Sequence, residues 1–565
     1  MIGRGSLSAA LVLALSLPIV AQEEPAVPPL VENVDVRVIN VDVVVTDRKG
    51  NPVRGLTIDD FQVFENGRPV KLTNFYEVIS DPEPAQVRTA ELPPTTSGPI
   101  PTVDRGGEDI PDNQKRRIIF YIDNLSMHPF NRNRVFDSMK EFAAQSLRPG
   151  DEAMIATWNR SMKIRVPFTS DIKHIQQTLD VIAGESAFGV HNLSERRQVE
   201  SQIRDARNHS EAVIAARAYA QSVDHDLRQS VSSLNALMGT LAGVEGKKIL
   251  VLTSEGFPVQ PGREMFAYID DIAREKASTW GRAGSSMIEG MGFNAINVIQ
   301  SVAKTANANG ITLYTLHAGG LVANTEGSAE NARPMSFTAQ QAALSNSTDS
   351  MHMLASMTGG LATTSTNNFK LAFEKIQRDL SSYYSLGYRA GTERVDRQRT
   401  LEVRMKNRDY TARSRRSFVE KSLMTEMNDR VVANLFYDST ANDMNIIFTT
   451  GRPVAMGEGI FKVPVDVRIP MDNITLFPQG EVYVGGFSIY VVVANKDGDM
   501  SDVTTQAHQI RVPAAEIGGT AGKFYTYSVE LAMEKGLNKI SIGVVDEVSK
   551  LTGFQRQQVL AADLR

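Results

Sequence analysis

The sequence predicts a multidomain protein in which a central α/β doubly wound, Rossmann-like domain is flanked by all-β sandwich domains. Three observations predict it. From residue 116 to residue 382, apolar runs of strand length alternate with helical stretches, the pattern of a mostly parallel sheet with helices on both faces. Between Val34 and Val78, valines alternate with polar residues around the turn sequences RKGNP and ENGRP, as half-buried strands do. From about Met424 onward, segments such as FKVPVDVRI and FSIYVVVANKDG recur between turn residues, as in an antiparallel sandwich of immunoglobulin or fibronectin type.

The bulk composition narrows the function. The 565 residues are 42% hydrophobic and 22% charged, with a net charge of -5, which describes ordinary globular domains and argues against nucleic acid or anionic membrane as the partner. There is no cysteine, so disulfides, zinc-thiolate sites and a lipid-modified N-terminal cysteine are excluded. Stability must then come from large cores.

Taken in order, residues 1–21 read as a signal peptide, with Arg4, an apolar segment from Leu7 to Val20, and Ala21 before the acidic QEE. That segment is shorter than the roughly 20 apolar residues of a spanning helix, and no later stretch is apolar enough to span. An exported protein is expected, in the periplasm, on the cell surface or secreted. Residues 33–79 hold too few strands to close a sandwich alone. Residues 80–115, rich in Pro, Gly, Thr and acid, read as a disordered linker. Residues 116–382 form the α/β domain, opening with RRIIFYIDNLSMHP, an apolar run that delivers Asp123 to the end of a buried strand. Within it, residues 193–241 are charged, Ala- and Gln-rich and apolar at helical spacing, a helical insertion longer than a crossover needs. Strand alternation returns over residues 383–420, and these strands are predicted to pair with those of 33–79, so that the α/β domain interrupts one sandwich. Residues 424–565 make the second sandwich.

Enzyme motifs are missing from this pattern. Gly290-Met291-Gly292 lacks a third glycine and a preceding strand, the histidines include no His-Glu-x-x-His, and Ser254 lacks the flanks of a nucleophile elbow. Asp224-His225-Asp226 reads as a solvated helix face, and Asn495 to Asp499 as a hairpin turn rather than a calcium loop. No catalytic residue is expected.

The segments VDVVVTDRKGNPVRGLTIDDFQVFENG, RIIFYIDN, EAMIATWNRSMKIRVPFTSD, KKILVLTSEG, GITLYTLHAGG and LASMTGGLATTSTNNF, in this order, together resemble the VWFA-related Acidobacterial domain family of exported proteins. The resemblance runs from about Val34 to Phe418 and implies a von Willebrand factor A domain, a protein-binding module. Many such domains hold a divalent cation at the carboxyl edge of the sheet through Asp-x-Ser-x-Ser, a threonine from a second loop, and Thr-Asp-Gly after the fourth strand. Here Asp123 takes the place of the first aspartate, but Leu125 and Met127 occupy the serine places and Ser126 is offset by one. The stretch GESAFGVHN offers no threonine, and Thr253-Ser254-Glu255-Gly256 carries its carboxylate on a longer arm. The resemblance therefore implies a degenerate site, with Asp123, Ser126 and Glu255 as vestigial ligands for magnesium and no other cofactor.

The same crevice, Asp123, Asn124, Ser126 and Glu255, is the expected partner-binding surface. The expected function is an exported, non-enzymatic binding or adhesion protein whose partner is a protein or a surface polymer. The alternative is a structural envelope scaffold in which the α/β domain is an inert spacer and the C-terminal sandwich docks. An envelope hydrolase would need a catalytic constellation that these residues do not supply.

Overall fold

The computed structural model describes residues 38–79, 86–89, 115–280, 284–321, 337–389, 395–437 and 441–562. The expected signal peptide lies outside the described residues, as does most of the expected linker. The chain forms two compact units, one from Val36–Gly239 with Glu245–Glu420, the other from Thr240–Val244 with Lys421–Arg565.

The first unit opens with strands β1 (Val38–Thr46), β2 (Phe61–Glu65), β3 (Arg68–Val70), β4 (Leu72–Ile79) and β5 (Gln86–Thr89). Alternation in β1 sends Val41, Val43 and Val45 inward. Asn66 and Gly67 both have positive φ, 48° and 77°, which is the conformation a tight two-residue hairpin between β2 and β3 requires. Strand β5 corrects the linker expectation over its four residues. It pairs antiparallel with β4, whose edge presents unpaired backbone groups that a passing segment satisfies whatever its composition.

The α/β part follows. It comprises β6 (Arg116–Asp123), α1 (Pro129–Ser146), β7 (Glu152–Trp158), β8 (Met162–Thr169), α2 (Ile172–Gly184), α3 (Gly189–Asp205), α4 (His209–Thr240), β9 (Lys247–Ser254) and α5 (Arg263–Glu275). Two single-turn pieces, α6 (Ala277–Trp280) and α7 (Met287–Gly290), precede α8 (Ile296–Ala308), β10 (Ile311–His317), α9 (Phe337–Thr358), β11 (Ala362–Thr363) and α10 (Phe369–Ser381). The sheet order is β11-β10-β9-β6-β7-β8. All pairings are parallel except that of the edge strand β8 with β7. Every residue of β6 after Arg116 is buried, as a central strand covered on both faces must be. Ile118, Phe120 and Ile122 pack with Phe136 and Phe142 of α1, Leu179 of α2 and Phe373 of α10. Helices α3 and α4 fill the predicted insertion and share a second core with α5 through Ile203, Ala216 and Phe266.

After α10 come β12 (Ser382–Arg389), β13 (Gln398–Met405), β14 (Thr411–Arg413) and β15 (Ser417–Val419). One sheet runs β14-β1-β12-β4-β5 and the other β15-β13-β2-β3. Each draws strands from both sides of the α/β segment. They share a core of Val41, Val43, Phe61, Phe75, Tyr384 and Leu401.

The second unit starts with a helix where the sequence reading has strands, α11 (Leu423–Phe436). Ser422 caps it by accepting the Thr425 N–H at 3.2 Å. Met427, Val431 and Leu435, spaced by four, bury one face on Tyr490, Val492 and Phe554. Strands β16 (Ile447–Thr450), β17 (Val454–Gly457), β18 (Ile460–Pro470), β19 (Phe477–Gln479), β20 (Val482–Ala494), β21 (Thr504–Pro513), β22 (Phe524–Glu534), β23 (Gly536–Asp546) and β24 (Thr552–Ala561) follow. In one sheet β18 pairs with β16, β17 and β22; the other has β19, β20, β23 and β24 in order, with β21 on β20. A common apolar core joins the two.

Candidate functional site

In a doubly wound sheet, ligands meet the carboxyl ends of the strands where the winding reverses. Here that point falls between β6 and β9, which leave the sheet in opposite directions of winding. Their parallel register sets Ile122 beside Thr253, so the next residues, Asp123 and Ser254, emerge together. The Ser254 hydroxyl donates to Asp123 Oδ2 at 2.7 Å, and the Ser126 hydroxyl donates to the same oxygen at 2.8 Å. The two hydroxyl oxygens are 3.0 Å apart. Ser126 N–H adds a longer bond to Asp123 Oδ1 at 3.3 Å. Asp123 is only 2% exposed. Burial pushes its carboxyl above the ordinary value, against the pull of the Ser254 and Ser126 hydrogen bonds.

The serines are fully engaged. Ser126 Oγ accepts the Glu255 N–H at 3.1 Å, and Ser254 Oγ accepts the Gly256 N–H at 3.0 Å. The Glu255 carboxylate turns away from Asp123 toward the start of α1. There it accepts the His128 N–H and an Asn131 amide N–H, each at 2.9 Å, a carboxylate at the positive end of a helix.

Asn124 points inward rather than toward a partner. Its side-chain oxygen accepts from the Arg132 guanidinium at 3.3 Å, and Arg132, itself fully buried, also donates to Ala183 O at 3.0 Å and Glu185 O at 2.9 Å. Leu125 and Met127 are buried as well. The first turn of α3 packs on this loop. A Cβ on Gly189 would lie 2.4 Å from the Met127 carbonyl, so only glycine permits that approach.

Of the residues singled out from the sequence, Asp123 and Ser126 meet directly. Glu255 joins them through its N–H alone, and Asn124 faces Arg132. Ser254 is the member that sequence reasoning passed over, together with His128, Asn131 and Arg132, which hold the surroundings. The signal for Ser254 was its alignment with the aspartate of Thr-Asp-Gly.

A hard dication wants about six oxygen ligands, carboxylates prominent among them. This cluster offers one carboxylate and two hydroxyls, whose protons and lone pairs are already committed, while the second carboxylate caps a helix. The arrangement does not fit such an ion. Among the described residues, no group of three or more acidic or histidine side chains is placed to hold a metal.

Around this floor, the starts of α1 and α3 and the segment after β10 carry exposed apolar side chains. Phe130 at the start of α1 is 67% exposed, Val190 and Leu193 in the first turns of α3 are 47% and 40%, and Leu321 after β10 is 60%. Arg134 lies 5.3 Å above the Phe130 ring and donates to Asn367 at 3.0 Å and Asn131 at 3.1 Å.

No family model matches the chain, and no curated protein matches it. Among solved structures it is similar to proximal thread matrix protein 1 from the mussel byssus, at 11% identity and a TM-score of 0.25, over 50% of this chain and 49% of that one. It is also similar to BatB from Bacteroides thetaiotaomicron, at 10% identity and 0.21, over 47% and 97%. A third is the vWF domain of the type V pili tip protein Mfa5 from Porphyromonas gingivalis, at 12% and 0.24, over 47% and 95%. The superpositions are loose. The strand order and the parallel register define the class, a doubly wound α/β domain within a multidomain protein.

Proposed function

We propose that this is an exported, non-enzymatic binding protein whose α/β domain docks a protein partner at the carboxyl edge of its sheet without a divalent cation. The observation that carries the reading is the rim of Phe130, Val190, Leu193 and Leu321, exposed around a floor whose polar groups satisfy one another. Clustered large apolar side chains on a solvent face favour association. The floor under them needs no ligand to complete it, so binding energy comes from the rim.

The test is capture of partners from an envelope extract by the purified chain, in magnesium and in chelator, with Phe130→Asp and Leu321→Asp as comparison. The same bands are expected in magnesium and in chelator, and their loss is expected in both variants. A partner released by chelator from the wild type would overturn the cation-free reading, and a partner retained by both variants would overturn the docking face.

A scaffold role for the C-terminal sandwich has one observation in its favour. Val454 and Met456 on β17 and Ile447 on β16 are all more than half exposed. Retention at the cell surface that is lost in Val454→Asp with Met456→Asp, and kept in Phe130→Asp, would favour this second reading.

A further inference from the structure

Arg134, in the second turn of α1, stands at the apolar rim with a charge that no acid answers. Its guanidinium donates to Asn367 Oδ1 at 3.0 Å, Asn131 Oδ1 at 3.1 Å and Ala318 O at 3.4 Å. All of these acceptors are neutral. The acid nearest in this network is Glu255, whose carboxylate is spent on the His128 N–H and the Asn131 amide. Asn131 thus stands between the two charges.

The guanidinium is held where it is. It lies 5.3 Å from the centroid of the Phe130 ring and 6.0 Å from that of Phe369, and Asn367 fixes its end. Gly320, with a φ of 65°, permits this pairing. A Cβ on Gly320 would lie 2.1 Å from Asn367 Oδ1 and 3.1 Å from Arg134 Nη2, so the turn after β10 needs glycine there.

What this cluster leaves open are donors. Arg134 Nη1 carries two protons and uses one on Asn367. Asn367 is exposed, and its side-chain oxygen already takes both Arg134 and the Leu321 N–H, the latter at 3.1 Å. Its amide N–H groups make no bond among the described residues. A ligand at this point must accept hydrogen bonds, and beside an unanswered guanidinium the strongest acceptor is an anion.

We propose that Arg134 and Asn367 bind the carboxylate of an Asp or Glu side chain on the partner protein, with a large apolar neighbour of that acid seated on Phe130 and Leu321. The proposal rests on the docking face described above and names the chemistry of its partner. Phe130 and Leu321 are 67% and 60% exposed, and they flank the free donors with apolar surface. A guanidinium stacked on aromatic rings is weakly hydrated, so it gives up little water when a planar carboxylate pairs with it. Arginine among aromatic side chains is also where interfaces concentrate their binding energy.

The experiment pans a displayed library of random peptides on the full chain in chelator, and measures the tightest selected peptide in solution by fluorescence anisotropy. The selected peptides are expected to carry Asp or Glu beside a large apolar residue. Arg134→Gln is expected to weaken the peptide at least tenfold, with thermal unfolding recorded to verify that the variant is folded. Replacing the peptide's acid by its amide is expected to cost as much in the wild type and almost nothing more in Arg134→Gln, which shows that the two groups meet. Panning on Arg134→Glu is expected to select Lys or Arg instead. Selected peptides without an acid, no selected peptide, or an amide replacement that costs the same in the wild type and in Arg134→Gln would overturn the proposal. A peptide weakened by Phe130→Ala but not by Arg134→Gln would overturn the carboxylate and leave the docking face standing; one weakened by neither would overturn both.

Discussion

Ser254 at the end of β9 donates its hydroxyl to Asp123 at the end of β6 at 2.7 Å. This one bond decides the character of the site. An acidic residue at position 254 would face Asp123 with like charge and need a cation between them; a serine there needs none. The cluster then closes on itself through Ser126 and the Glu255 and Gly256 amides. Above it, Phe130, Val190, Leu193 and Leu321 stay exposed.

Arg132 ties this floor to the loop after α2, and its removal tests how much the site depends on that tie. Arg132→Met fits the buried space roughly but leaves Asn124 Oδ1 and Glu185 O without this donor, while Ala183 O keeps the Asn133 amide at 3.2 Å. Unpaired buried acceptors cost about 1–3 kcal/mol each, partly relieved by relaxation. Urea unfolding of the first unit is expected to show a loss of about 3 kcal/mol, and a loss under about 1 kcal/mol would mean that water reaches these groups.

The parts of the molecule legible in the sequence are those written in local pattern. Ile118 to Ile122 form an uninterrupted apolar run because β6 is covered on both faces, and Asn66-Gly67 announces its hairpin because few other pairs adopt two positive φ values. What the pattern hides depends on neighbours distant in the chain. Gln86 to Thr89 form a strand only because β4 offers an open edge. The spacing of Met427, Val431 and Leu435 is helical, yet it sits at the head of a strand-rich region and is easily absorbed into it. Ser254 looks like any serine until the parallel register of β9 on β6 sets it against Asp123. Cationic residues at 247, 248, 413 and 415 are unremarkable in sequence, and only the fold gathers them at one cavity.

Tyr384 on β12 joins the two halves of the interrupted sandwich. Its hydroxyl lies 3.0 Å from the buried Glu77 carboxylate and 2.9 Å from Val53 O, while it accepts the Leu56 N–H at 3.2 Å. Its ring packs on Phe61 and Phe75 at centroid separations of 5.3 and 5.7 Å. Tyr384→Phe keeps the ring and loses the hydroxyl, so a destabilisation of about 1–2 kcal/mol is expected. Tyr384→Ala also loses the aromatic packing and is expected to cost about 3–5 kcal/mol. Equal effects of the two would show that the hydroxyl, not the ring, holds the halves together.

The C-terminal sandwich carries a pH dependence at His508. Its ring stacks on Phe487 at 5.2 Å and meets the Tyr527 ring at 5.0 Å, and burial lowers its pKa from the ordinary value near 6.5. The unfolded chain therefore binds a proton on this histidine at a higher pH than the folded chain does. Stability is full above pH 6.5 and falls as the pH drops from there toward the lowered folded value. Thermal unfolding between pH 7.5 and 5 is expected to show this decline in the wild type and a shallower one in His508→Gln. Identical slopes would place the titration elsewhere.

Converting Ser254 to aspartate should create a need for a cation beside Asp123. In Ser254→Asp a second carboxylate enters the space beside Asp123, where burial and like charge both disfavour ionisation of the pair. Without a divalent ion the variant is expected to melt below the wild type. Magnesium would bridge the two carboxylates with Ser126 Oγ as a third oxygen, and a ligand that binds only the folded state raises its melting temperature. A rise of roughly 3 °C or more in millimolar magnesium, reversed by chelator, is expected for Ser254→Asp, against no change for the wild type. If magnesium shifts the wild type as much as the variant, then the closed network of Asp123, Ser126 and Ser254 opens in solution to admit the ion, and the cation-free reading of the site is wrong.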